Sequence, residues 1–228
     1  LTRFSKLIKY RLRALAMRRI PGEITGTTTV GVVCKDGVIM ATDKRATMGT
    51  YVASKQAKKV YQITDRLAMT VAGGVAVAQR VVDILRANAK LFELANGRPM
   101  PVVSAARLLS NLLFANREVG LPLPLQALIG GYDETGPHIF SLDPFGSLTE
   151  ERMVSTGSGS PIAYGVLEDR YTEDKLVSEA LPIVVKAVDS AMKRDVASGD
   201  GFDVAVITKE GFRELSLEEK RALLNLKS

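Results

Sequence analysis

The 228-residue chain is 46% hydrophobic and 25% charged, a composition of ordinary globular domains that excludes collagen-like and low-complexity classes. Its single cysteine, Cys34, excludes an internal disulfide framework and suits a reducing cytosol, and no apolar run reaches the ~18 residues that a membrane span needs. The net charge of +6 invites a nucleic-acid partner, but seven of the 31 basic residues and one of the 25 acidic ones fall in residues 1–26. That leaves 24 of each sign in residues 27–228, so a nucleic-acid reading rests on the leader alone.

Within residues 1–26, Leu1, Phe4, Ile8, Leu12 and Leu15 recur at spacings of three and four, with basic residues on the other faces. A short amphipathic helix broken by Pro21-Gly22 is expected. It would serve as a pro-segment, a membrane-surface helix or a targeting peptide. The leader lacks interleaved aromatics and a nucleic-acid-binding motif, so neither a nucleic-acid nor a membrane partner is expected.

Thr28–Cys34 and Val38–Asp43 read as strands joined by Lys35-Asp36-Gly37, a hairpin. Ala46–Val52 and Val60–Ile63 are shorter strands, and Leu67–Ala72 is an apolar strand ended by Gly73-Gly74. Ala78, Val81, Val82, Leu85, Ala89 and Phe92 line one face of a helix that stops near Asn96-Gly97; a second helix spans Val102–Glu118. Leu125–Tyr132, His138–Leu142 and Ser147–Ser155 are strands again. Pro161 opens a short helix, and a longer one, capped by Ser178, ends near Ser198-Gly199. Phe202–Thr208 and Phe212–Leu215 pair, and Ser216 with Glu219 forms a capping box for the last helix. Strands, two helices, strands and helices without β-α-β alternation describe an α+β domain, a four-layer αββα sandwich of two antiparallel sheets.

The chemistry is narrowed by what is missing. His138, the only histidine, lies in a strand, which leaves serine or cysteine catalysis without an imidazole base. No Cys/His cluster, EF-hand or Walker loop is present, so no metal and no cofactor is expected. Gly26-Thr27-Thr28-Thr29 offers another base. The three threonines can simply start a strand. Alternatively, a threonine freed at its nitrogen carries an α-amine with a pKa near 8, suited to activating its own hydroxyl. Gly26 does not obstruct attack by the Thr27 hydroxyl on the Gly26 carbonyl. An N-to-O acyl shift and ester hydrolysis would then release the amine.

Thr27-Thr28-Thr29-Val30-Gly31, Met40-Ala41-Thr42-Asp43-Lys44-Arg45, Lys58-Lys59, Val71-Ala72-Gly73, Ser155-Thr156-Gly157-Ser158-Gly159-Ser160 and Arg194-Asp195 with Ser198-Gly199 stand in order along the chain. Together they resemble a proteasome β subunit of the archaeal type, a threonine protease of the N-terminal-nucleophile hydrolase superfamily. The resemblance runs from Thr27 to about Val206. It divides the chain into a propeptide, 1–26, and a catalytic domain, 27–228. It implies Thr27 as nucleophile and base, an Asp43–Lys59 pair beside it, Gly73 N–H as oxyanion donor, and Ser158, Asp195 and Ser198 around the amine. The positions matching the family's specificity pocket are Ala46, Ala57, Tyr61, Val71, Val75 and Gln79, all uncharged, which suits large hydrophobic side chains. The resemblance further implies stacked seven-membered rings with α subunits and other β subunits, unfolded polypeptide substrates, an ATPase cap reached through the α rings, and a cytoplasmic location.

Each residue also has a plainer reading: Asp43-Lys44-Arg45 as a solvated charge cluster, Gly73-Gly74 as a turn, Gly157–Ser160 as a flexible loop, Ser198-Gly199 as a C-cap. The whole chain has one too, as a non-catalytic β subunit that keeps its leader and serves ring assembly.

Overall fold

The computed structural model describes residues 26–116, 123 and 125–225; the expected leader helix lies outside them. Two five-stranded antiparallel sheets form the centre. One has the order β10-β1-β2-β11-β12, built from Met153–Thr156 (β10), Thr29–Cys34 (β1), Gly37–Asp43 (β2), Phe202–Thr208 (β11) and Gly211–Glu214 (β12). The other has the order β5-β6-β7-β8-β9, from Val60–Thr64, Leu67–Gly73, Leu125–Asp133, Gly136–Leu142 and Leu148–Glu151.

The layering follows from strand alternation. In the first sheet, Val30, Val32, Ile39, Ala41, Val204 and Val206 face one way, onto helices α3 (Ser160–Arg170) and α4 (Val177–Arg194). Their neighbours Val33, Val38, Met40, Ala205 and Ile207 face the other way and meet Ala68, Leu128 and Ile139 of the second sheet. The second sheet's outer face, with Met69, Val71, Ala127, Ile129 and Phe140, packs under α1 (Val75–Asn96) and α2 (Val102–Asn116). Three apolar layers between four structural layers make the expected αββα sandwich. They also explain why the central strands are apolar on both faces although the sheets are antiparallel.

The elements depart from the sequence reading in particular places. Ala46–Val52 is two short strands, β3 (Ala46–Met48) and β4 (Tyr51–Ser54), folded back at Gly49, whose φ is +60°. Ser147–Ser155 is also two strands: β9 adds to the second sheet through β8, whereas β10 adds to the first through β1. The chain changes sheets at Arg152, whose carbonyl accepts the Val33 N–H at 2.8 Å. The long helix begins one residue before Ser178. The Glu179 carboxylate accepts the Leu176 N–H at 2.8 Å, so Leu176 is the cap and Pro182 lies a full turn inside. It ends at Arg194, so Asp195–Gly201 is a loop. The expected capping box before α5 (Leu217–Asn225) is present: Ser216 N–H donates to Glu219 at 2.7 Å, and Glu219 N–H to Ser216 Oγ at 3.2 Å.

Candidate active site

Separate elements converge at one end of the sandwich. Thr27 and Thr28 lead into β1, Asp43 ends β2, Lys59 precedes β5, and Gly73 ends β6. Ser158 lies in the loop before α3, while Asp195 and Ser198 follow α4. Two backbone bonds stitch these ends together: Asp43 N–H donates to Thr28 O at 3.1 Å, and Val71 N–H to Lys59 O at 3.1 Å.

Asp43 is fully buried and Lys59 is 6% exposed, so they belong to no solvated charge cluster. The Asp43 carboxylate is saturated with donors. Its Oδ1 accepts Lys59 Nζ at 2.7 Å and Thr28 N–H at 2.9 Å; its Oδ2 accepts the N–H groups of Arg45 at 3.0 Å and Gly199 at 2.9 Å. Burial pulls the Lys59 pKa below its ordinary 10.5, and the pull outweighs the opposing attraction of Asp43.

A hydroxyl relay covers the other side of Thr27. Ser158 Oγ accepts the Thr27 N–H at 3.2 Å and donates to Asp195 Oδ2 at 2.7 Å. Ser198 Oγ donates to the same oxygen at 2.6 Å and accepts from Thr28 Oγ1 at 2.7 Å. The loop carrying Ser158 is pressed against Thr27. Gly157 has φ +90°, and a Cβ there would sit 2.2 Å from Thr27 O. Gly26 has φ +105°, and a Cβ would lie 2.0 Å from Ala197 Cβ, so the bond ahead of Thr27 is held in a conformation and a space that suit glycine.

Thr27, Lys59 and Gly73 share the wall of a cavity of about 360 Å³. Ala46, Ala57, Tyr61, Val71, Val75 and Gln79 line the same cavity, and so does Gly26. A family model described as proteasome subunit matches residues 24–207. The chain belongs to the proteasome subunit family.

Its relatives include the proteasome subunit beta of Methanosarcina mazei, 52% identical over 206 residues that cover 89% of this chain and 97% of that one. The proteasome subunit beta of Archaeoglobus fulgidus is 54% identical over 200 residues, covering 87% and 93%. That of Ferroglobus placidus is 52% identical over 200 residues, covering 87% and 94%.

In this proteasome subunit the sequence reading missed Ser54 and Lys58, which also line the cavity. Lys58 O accepts the Tyr61 hydroxyl at 2.8 Å, while Lys58 Nζ is bridged to Glu214 at 2.8 Å. It also missed the Thr28 hydroxyl, which no local pattern distinguishes from its neighbours. His138 lies elsewhere. It pairs in register with Gly131 on β7, six residues and roughly 20 Å from the β7 end that meets Gly73. There it bonds Glu150 at 2.6 Å and Thr135 at 2.8 Å. Cys34 is a core residue, its thiol pushed up to about 12 by burial. No helix among the described residues is long and apolar enough to cross a membrane.

Proposed function

We propose that this chain is a catalytic β subunit of a proteasome core particle, a threonine endopeptidase that cuts unfolded polypeptides. The observation that carries the reading is an apolar-lined cavity whose wall holds Thr27 together with a lysine buried on an aspartate. In the precursor, Thr27 Oγ attacks the Gly26 carbonyl carbon, the Gly26–Thr27 C–N bond breaks, and the nitrogen gains a proton to become the Thr27 amine. Water then hydrolyses the resulting ester and releases residues 1–26 as a pro-segment.

On a substrate, the freed amine takes the hydroxyl proton as Thr27 Oγ attacks the scissile carbonyl, and returns it to the leaving amine. The Lys59 charge favours the developing alkoxide, and Asp43 offsets the cost of burying that charge. The Gly73 N–H stabilises the oxyanion. Ser158, with Asp195 and Ser198 behind it, orients the amine; in the precursor the same Ser158 oxygen accepts the Thr27 amide proton. Water completes the cycle by hydrolysing the acyl-enzyme. Assembly into stacked seven-membered rings with α subunits and other β chains, feeding through an ATPase cap, and a cytoplasmic location complete the reading. A non-catalytic ring-building role for the unprocessed chain is its rival.

Peptide hydrolysis by assembled particles tests the reading through the pocket. Ala57→Leu narrows the cavity, so kcat/KM for peptides with Phe or Leu before the scissile bond falls by about 10–200-fold. Peptides with Ala there lose little; equal loss on all peptides would contradict the pocket assignment.

The pH profile follows from two groups. The amine works only when neutral, so the rate rises through a pKa near 8. Lys59 works only when charged and its pKa is lowered, so the rate falls before the ordinary lysine value of 10.5. A bell-shaped kcat profile with its alkaline limb below 10.5 is expected. A plateau persisting beyond that value would remove Lys59 from the mechanism.

A further inference from the structure

The loop after α4 supplies the site with Asp195, Ser198 and the Gly199 N–H, yet as Asp195–Gly201 it belongs to no helix or strand. Something must hold its geometry, and the side chain of Arg45 is placed to do so. Arg45 Nε donates to Asp200 Oδ2 at 2.7 Å, and Nη1 donates to Val196 O at 2.9 Å. One guanidinium thus grips both ends of the segment 196–200. Between them the backbone lies against it: a Cβ at Gly199 would come within 2.5 Å of Arg45 Nη2.

We infer that Arg45 and Asp200 are positioning residues, a clamp that sets the Gly199 N–H on Asp43 and holds the Asp195 carboxylate and the Ser198 hydroxyl in the network beside Thr27. The inference rests on the peptidase reading above. Its argument is geometric. Arg45 also touches the site directly, since its own N–H donates at 3.0 Å to Asp43 Oδ2, the oxygen that the Gly199 N–H reaches at 2.9 Å. The clamp therefore sets the distance between the two backbone donors that converge on one carboxylate oxygen. Lys44 N–H braces the far side, donating to Gly201 O at 2.9 Å.

Asp200 has φ +61° and is the non-glycine residue with positive φ among those described, a conformation that needs support from its surroundings. The Arg45 hydrogen bond comes first among the influences that hold its carboxyl below the usual range, which keeps the pair ionic at neutral pH. A lysine could replace the charge but not the two-pronged planar grip. Lys55, exposed and 4.0 Å from the other Asp200 oxygen, adds charge without comparable contact and is no part of the clamp.

The experiment compares assembled wild-type particles with Arg45→Ala, Arg45→Lys, Asp200→Asn and Lys55→Ala, reading peptide kcat and KM beside amide hydrogen exchange of residues 195–201. Arg45→Ala and Arg45→Lys are expected to lower kcat by about 10–100-fold, the scale of a small misplacement of catalytic groups, with KM within about threefold. Exchange at Ser198 and Gly199 rises in the same variants. Asp200→Asn keeps an oxygen acceptor and tolerates the positive φ, so it falls between wild type and Arg45→Ala. Lys55→Ala matches wild type. Faster exchange with unchanged kcat would overturn the clamp's role in turnover, as would unchanged exchange and kcat together. If Arg45→Ala fails to assemble, Asp200→Asn carries the test, and a kcat and exchange pattern equal to wild type there overturns the proposal. Failure of the underlying reading looks different: wild-type hydrolysis would survive Thr27→Ala.

Discussion

Thr27→Ala is expected to yield assembled particles that retain residue 26 and everything before it and show no peptide hydrolysis above background. The substitution removes the attacking oxygen for both reactions, and no other group around the cavity replaces a hydroxyl joined to its own base. The body should stay folded, because the hydrogen bonds of Thr27 to Ser158 and Gly159 run through its backbone nitrogen and oxygen. Thr27→Ser, which keeps hydroxyl and amine, should restore part of both reactions. Intact-mass spectra and peptide assays on one preparation read the two outcomes together. Hydrolysis persisting in pure Thr27→Ala particles would assign the nucleophile elsewhere.

Lys59→Ala has the second large effect. It deletes the buried charge beside Thr27 and leaves Asp43, which is fully buried, with its backbone donors alone. Breaking a buried pair from one side costs about 3–5 kcal/mol, and the surviving N–H donors place this case toward the lower end. The catalytic loss should be larger than any partial unfolding explains. A missing electrostatic contribution of about 3–4 kcal/mol is a fall of 10²–10³ in kcat. Thermal denaturation separates the two effects: folded, assembled Lys59→Ala particles with near-normal kcat would exclude Lys59 from the chemistry.

Much of the architecture was legible because the physics that writes it is local. Alternating faces in β1, β2, β6 and β7 and the 3-4 spacing of α1 appear directly in the order of apolar residues. The break of Ser147–Ser155 into β9 and β10 was not legible, because both halves have strand-like composition and the switch depends on which sheet edge each finds. The start of α4 was misjudged for a similar reason. Ser178 is the better cap by type, but Glu179 reaches back to Leu176 and Asp36 accepts the Val177 N–H at 2.8 Å, a partner 141 residues away.

The candidate site divides in the same way. The residues from Thr27 to Ser198 named by the resemblance lie together around the cavity or in the hydrogen-bond network beside it. The pairing of Arg45 with Asp200 escaped notice because it joins positions 155 residues apart, and the motif that holds Arg45 does not point to Asp200. Lys58 entered the sequence reading only through the Lys58-Lys59 pair, with no role of its own, although it lines the cavity.

The most direct test of the account is the intact mass of the subunit in purified, peptide-hydrolysing wild-type particles. The account predicts a chain that begins at Thr27, with residues 1–26 gone and its amine open to N-terminal labelling. Active particles whose subunits still carry Gly26 joined to Thr27 would contradict it, because an amide nitrogen's lone pair is delocalised into its carbonyl and cannot serve as the base.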